Sequence, residues 1–261
     1  MLLKNKCALI TGSIRGLGYA IADTLAAQGA NIVLHGLEPE DSARDAAERL
    51  RRAHGCEVLL SQADLRHADQ IELMMKAATQ QFGGVDIVVN NAVVRHFSPA
   101  ENLSPPQWDE SIAVNLSAAF HTARLAIPGM RSRGWGRIVN MSSVYGASAT
   151  VNRIGYVTTK TALIGMTRAI ALETATSGIT CNAVSPGTVP TPAILSRIAG
   201  IARETGVTEE AAARDYLAQR QPTGRFVAME NVAALILFLC SPAGSDITGS
   251  VLPIDGGWTA S

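Results

Sequence analysis

The chain has no surplus of either charge: 22 Lys and Arg balance 22 Asp and Glu, and charged residues make up only 17% of its 261 positions. A protein that gathers nucleic acid or an anionic membrane surface needs a basic field. Neither partner is expected, and any charged ligand must be met locally. Cysteine is scarce as well. Cys7, Cys56, Cys181 and Cys240 lie far apart, with no C-x-x-C and no Cys/His cluster, which gives neither a zinc-ligand pattern nor a disulfide framework. No metal site is expected, and a reducing compartment fits best. Long apolar runs are also missing. The start, Met1-Leu2-Leu3-Lys4-Asn5-Lys6, has no apolar signal-like stretch, and the longest helical apolar run, 232–240, is too short to cross a bilayer. A soluble cytoplasmic protein without a membrane partner is the expectation.

Hydrophobic residues make up 47% of the chain, enough for a large core, and no linker divides it, so one domain over 1–261 is expected. Short β-branched runs at 7–10, 31–34, 57–60, 86–89, 137–140, 179–184 and 250–254 alternate with longer amphipathic segments at 17–28, 42–53, 68–81, after Ser104-Pro105-Pro106, and at 155–174. That alternation predicts an α/β fold of seven parallel strands joined by crossover helices. The continuous apolarity of the strands requires helices on both faces. Ser104 is placed to cap a helix that has proline at its first position. The rhythm breaks only at residues 188–225, where a proline-rich start and a charged helical pattern at 209–221 predict a small helical lid over a site.

Directly after the first predicted strand stands Thr11-Gly12-Ser13-Ile14-Arg15-Gly16-Leu17-Gly18, followed by a helix. Glycines at a strand-to-helix turn let the backbone approach a pyrophosphate whose charge then sits at the helix N-terminus. The spacing is G-x-x-x-G-x-G rather than G-x-G-x-x-G, and a glycine-rich turn closing an ordinary β/α unit is the plainer reading. Asp64-Leu65 after the third strand is placed to hold an adenine. Asn90-Asn91-Ala92 after the fourth is placed to support a cofactor from below, although Asp and Asn also end strands as turn formers.

Tyr156 and Lys160 are four apart on a predicted helix and so share a face. A phenol is a poor base near neutral pH, but a neighbouring ammonium and an oxidised nicotinamide both favour its phenolate. In this reading Tyr156 takes the alcohol proton, Ser143 hydrogen-bonds the carbonyl oxygen, Lys160 also holds the nicotinamide ribose, and Asn115 holds a water linking Lys160 to solvent. Y-x-x-x-K alone is equally a simple amphipathic helix pair.

Taken together, T-G-x-x-x-G-x-G at 11–18, N-N-A at 90–92, Asn115, Ser143, Tyr156, Lys160 and Pro186-Gly187 resemble the short-chain dehydrogenase/reductase family over essentially the whole chain. The resemblance implies a Rossmann sheet, a homotetramer, no metal for chemistry, and a nicotinamide groove formed by Gly12, Ser13, Arg15, Gly16, Leu17, Gly18, Asp64, Leu65, Asn91, Ala92, Tyr156, Lys160, Pro186, Gly187, Val189 and Thr191. Val93 departs from the pattern, because glycine usually follows N-N-A. Gly206-Val207-Thr208-Glu209-Glu210, Gln219-Arg220-Gln221-Pro222 and Asp255-Gly256-Gly257-Trp258-Thr259 are similar to the D-3-hydroxybutyrate dehydrogenase branch of the family. The pocket differs from that branch. Arg95, Arg153 and Arg197 stand where it uses glutamines and a lysine, Tyr145 where it has histidine, and Thr188 where it has tryptophan.

Arginines suit carboxylate, phosphate or sulfonate bidentately, so with Ser143, Tyr145 and Tyr156 they imply a small anionic substrate: a hydroxy acid, a sugar acid, a sulfonated sugar or a dicarboxylate. Glu38, near the end of the second strand, is placed to bind the ribose hydroxyls of NAD, and the Leu34 to Leu37 pattern, similar to that of the hydroxybutyrate dehydrogenase branch, implies NAD as well, while Arg15 in the glycine loop leaves NADP possible. Two other readings stay open: an NADPH-dependent 3-oxoacyl-carrier reductase, and a dinucleotide-binding sensor without catalysis.

Overall fold

The computed structural model describes residues 1–260; Ser261, the last position of the expected domain, lies outside the described residues. Seven parallel strands form one sheet in the order β3-β2-β1-β4-β5-β6-β7. They are β1 Cys7–Ile10, β2 Asn31–His35, β3 Val58–Ser61, β4 Ile87–Asn90, β5 Gly136–Met141, β6 Ile179–Pro186 and β7 Val251–Ile254. Between them run α1 Gly16–Ala27, α2 Glu40–His54, α3 Ala68–Phe82, α4 Pro105–Ile112, α5 Ala118–Ser132, α6 Ile154–Thr174, α7 Pro192–Thr205, α8 Glu209–Ala218 and α9 Met229–Cys240.

Alternate strand residues feed opposite layers, as the two-residue period of a strand requires. Ala8, Ile10, Ile32, Leu34, Ile87 and Val89 join the buried cluster beneath α1, α2 and α9. Cys7, Leu9, Val33, Val88 and Ile138 join the cluster beneath α3, α5 and α6. With both faces covered, the strands read as unbroken apolar runs.

Strand boundaries fall within two residues of the sequence expectation, and Ser104 forms a capping box with Gln107 ahead of Pro105. The helix α7 was not foreseen. Its signal is local: Thr191 accepts a hydrogen bond from Ile194 N and Pro192 occupies the first turn. α7 and α8 pack on each other through Ile198, Ala202, Ala212, Tyr216 and Leu217, a small cluster separate from the two sheet layers.

Strand order reverses between β1 and β4, opening a crevice at their carboxyl ends. A buried polar ladder fixes the strands beside it. Asn90 Nδ2 donates to Asn140 Oδ1 at 2.8 Å, Asn140 Nδ2 to Thr167 Oγ1 at 2.9 Å, and Thr122 Oγ1 to Asn90 Oδ1 at 2.7 Å. These bonds tie β4, β5, α5 and α6 together. Asn140→Ala leaves Asn90 and Thr167 with unmatched groups in a dry interior, so we expect a loss of about 1–3 kcal/mol, read as a lower midpoint in urea unfolding.

Candidate active site

The loop between β1 and α1 is shaped by its glycines. Gly12 and Gly16 take φ of +63° and +60°, where a side chain is disfavoured. A Cβ on Gly18 would lie 2.2 Å from Gly12 O, whereas one on Gly16 would meet nothing within 4 Å. Gly18 therefore permits close packing of the loop, and Gly16 leaves a hollow at the start of α1. The N-cap Arg15 makes no side-chain cap, so the first N–H groups of α1 stay available for an anion. Asn91 holds the loop from below by donating to Thr11 O and Gly12 O at 3.0 and 2.9 Å.

His35, at the end of β2, locks the same loop from the side. Gly12 N donates to its Nδ1 at 3.1 Å and its Nε2 lies 2.8 Å from Ala63 O. A carbonyl only accepts and an N–H only donates, so His35 must be neutral with its proton on Nε2. Burial, the largest influence, holds its pKa below the ordinary value.

A groove of about 1360 Å³ runs from this loop over the sheet to α7. Tyr156 and Lys160 meet in it on one face of α6, beside Ser143 at the end of β5. Lys160 is buried, and its Nζ donates to Met141 O at 2.5 Å. Burial pushes its pKa down to about 8, against the pull of Tyr156. For Tyr156, burial raises the pKa, but the charges of Lys160 and Arg95, with hydrogen bonding from Ser143 and Arg95, outweigh it and leave the phenol below its ordinary value.

Most of the residues singled out in the sequence line this groove: Gly12, Arg15, Gly16, Leu17 and Gly18; Asp64, Leu65, Asn91 and Ala92; Pro186, Gly187, Val189 and Thr191; and Arg95, Tyr145, Arg153 and Arg197. Ser13 does not. Its hydroxyl donates to Ile10 O and accepts from His35 N, so it pins the loop to β2 and is fully buried. Asn90 belongs to the interior ladder rather than to the groove floor. Asn115 sits behind the wall in a π-turn between α4 and α5. Its side chain accepts from Val94 N at 2.8 Å and donates to Val94 O at 3.1 Å, setting the backbone beside Val93. The Asp64 carboxylate faces the groove but is engaged by Arg66, whose hydrogen bonds hold its pKa down at about 2. The Thr191 hydroxyl caps α7.

Phe97, Tyr216, Arg220 and Trp258, none of them a site residue expected from the sequence, also line the groove. Arg220 was visible in the Gln219 to Pro222 motif, four residues after Tyr216, whose ring lies 4.0 Å from its guanidinium carbon. The neighbouring Gln221 is fully buried and accepts a hydrogen bond from Thr188 N, tying the segment after α8 to the end of β6. Charge is divided along the groove. Its acids are Glu38, paired with Arg15 at 3.1 Å, Asp64, paired with Arg66, and Glu110, shared by Arg66 and His96. Arg95, Arg153, Arg197 and Arg220 have no carboxylate partner among the described residues. An isolated bridge between Ser98 and Arg153 joins the loop after β4 to the start of α6, bringing Arg95 and Arg153 to one mouth.

Residues 12–259 match the family described as enoyl-(acyl carrier protein) reductase. The chain is 43% identical to D-beta-hydroxybutyrate dehydrogenase of Cupriavidus necator, across 99% of this chain and all of the relative. It is 35% identical to 3-oxoacyl-[acyl-carrier-protein] reductase of Aquifex aeolicus, across 98% of each. The solved structure of L-sorbose reductase from Gluconobacter frateurii, complexed with NADPH and L-sorbose, superimposes with a TM-score of 0.94 at 29% identity, covering 99% of this chain and 98% of that one. The chain belongs to the short-chain dehydrogenase/reductase family, NAD(P)-dependent oxidoreductases of hydroxyl and keto groups. The hollow at Gly16, the uncapped start of α1 and the groove beyond them fit a dinucleotide of this kind.

Protonated His35 would face the Gly12 N–H with a second donor. The unfolded chain takes up that proton below about pH 6.5, before the folded chain does, so His35 makes stability fall as pH drops through this value. Thermal melts between about pH 5 and 7 should show that fall, and it should be flatter in His35→Gln, whose amide accepts at one atom and donates at the other.

Proposed function

We propose that this protein interconverts the secondary alcohol and ketone of a small anionic substrate, a hydroxy acid, sugar acid or sulfonated sugar, with NAD as the preferred cofactor. The observation that carries this reading is the set of four arginines that line the groove with no carboxylate partner among the described residues: Arg95 over the Tyr156 ring, Arg153 over Tyr145, and Arg197 and Arg220 over Tyr216. Unpaired guanidiniums around an apolar groove of Tyr145, Phe97 and Trp258 suit a carboxylate or sulfonate. Residues 188–225 are then the lid, and Arg197 and Arg220 are its contribution to the anion pocket.

In the direction of oxidation, the substrate O–H proton passes to Tyr156 Oη as the carbonyl forms. In reduction Tyr156 returns it. When bound, the nicotinamide accepts or gives back the hydride of the same carbon. Ser143 donates to the substrate oxygen and holds it at the phenol. Lys160 keeps positive charge beside Tyr156 and would hold the nicotinamide ribose. Asn115 acts at one remove, by fixing Val94 and the wall that carries Arg95. Glu38, at the groove end beside the glycine loop, would accept from the adenosine ribose hydroxyls, and its pairing with Arg15 engages the cation of the glycine loop that would otherwise suit a 2′-phosphate. The same pairing weighs against the NADPH-dependent carrier reductase. Exposed apolar side chains on α5 and α6, Phe120 and Leu172, support the homotetramer that is usual in the family.

Initial rates with NAD and with NADP, at equal concentration, against hydroxy acids, sugar acids, sulfonates and their neutral amides test the reading. Turnover should be confined to the anions and faster with NAD. Arg153→Ala should lower kcat/KM by roughly ten-fold or more, the worth of one charged hydrogen bond. Equal turnover of acids and amides, or an Arg153→Ala variant equal to the parent, would contradict the anion pocket.

A further inference from the structure

Tyr156 is attended by a second cation that the Y-x-x-x-K spacing does not supply. The guanidinium carbon of Arg95 lies 5.3 Å from the Tyr156 ring centroid, closer than Lys160 Nζ at 5.7 Å. The two arrive from different elements: Lys160 from the same helix as Tyr156, Arg95 from the loop after β4. That loop is held at both ends. Asn115 fixes both backbone groups of Val94, and the Ser98–Arg153 bridge with Ser98 N donating to Asn152 O at 3.1 Å fixes the other side. No described carboxylate pairs with Arg95, since the nearby rim acid Glu110 is engaged by Arg66 and His96. The remaining groups around the phenol are Ser143 and Tyr145 after β5, the latter 6.5 Å away ring to ring, and Arg153, whose guanidinium stands over Phe97 and Tyr145. Among these neighbours there is no acid to offset the two cations.

We propose that Arg95 is a catalytic residue, a second cation held at Tyr156 that stabilises its phenolate together with Lys160 and leaves its other guanidinium donors for the anionic group of the substrate. This rests on Tyr156 being the proton-transfer group. The direction of the Tyr156 pKa, lowered by both cations against the effect of burial, agrees with it. So does the position of Lys160, whose charge Arg95 disfavours. Two cations around one phenol are mutually unfavourable, and each is relieved when the phenol ionises. Arg95 is exposed in the open groove and therefore partly screened by water. Arginine suits this double task, because its fork carries five donors and its charge does not titrate away.

The test is a titration of the full-length protein labelled at Cζ of its four tyrosines, with Tyr156→Phe used to assign the Tyr156 resonance. Arg95→Met and Arg95→Gln should each raise the Tyr156 midpoint by about one unit or more, in line with the loss of an opposite charge at this distance. Arg95→Lys should restore at least half of that shift, an outcome that a purely structural role for Arg95 does not produce. Midpoints of Met and Gln variants that coincide with the parent, or a Lys variant that behaves as they do, would overturn the proposal. The underlying reading fails separately: a Tyr156→Phe variant that still turns over an acid found in the substrate panel removes Tyr156 from the chemistry, whatever the Arg95 titration shows.

Discussion

An ammonium group buried beside a buried phenol is the constraint on which the rest of this structure depends. Removing a lone charge from water costs several kcal/mol after relaxation, so Lys160 is tolerable in α6 only because Met141 O accepts from it and Tyr156 stands one turn away. Even so, burial brings its pKa down to about 8. Their mutual attraction favours the ionised phenol over the neutral one, the direction that proton abstraction from an alcohol needs. β5 delivers Met141 and Ser143 to the same spot, and its register with β4 and β6 is fixed along its length.

The surroundings divide into two electrostatic halves. At the glycine loop, each groove-lining acid has a partner of its own: Glu38 with Arg15 and Asp64 with Arg66. At the Tyr156 end no described carboxylate pairs with the cations. A folded protein seldom leaves several guanidiniums facing an apolar groove without a function for them, since each is attracted to whatever anion can reach it. The lid carries the same character, with Arg197 and Arg220 placed against Tyr216. The buried anchor Gln221 then sets where that lid meets the sheet.

Much of this was legible in the residues. Strand positions followed from continuous apolar runs, because a sheet covered on both faces leaves no alternation to interpret. The glycine loop and the Tyr156–Lys160 pair followed from spacing, since backbone conformation and helical period are local properties. What escaped was non-local. Ser13 stands within the phosphate motif yet points back to His35, a contact between residues 22 apart in sequence. Asn90 belongs to the interior because its partners Thr122 and Asn140 come from other elements. Arg15 and Glu38 argued for opposite cofactors as separate residues, and only the fold brings them together. Arg220, Phe97 and Trp258 enter the groove through loop and lid packing that no periodicity encodes.

The central claim, that the Lys160 charge is what makes Tyr156 usable near neutral pH, is tested most directly by the pH dependence of alcohol oxidation in the parent and in Lys160→Met. With the ammonium gone, the rising limb of the profile should move to higher pH by about one unit or more. Profiles that superimpose, differing only in height, would contradict it.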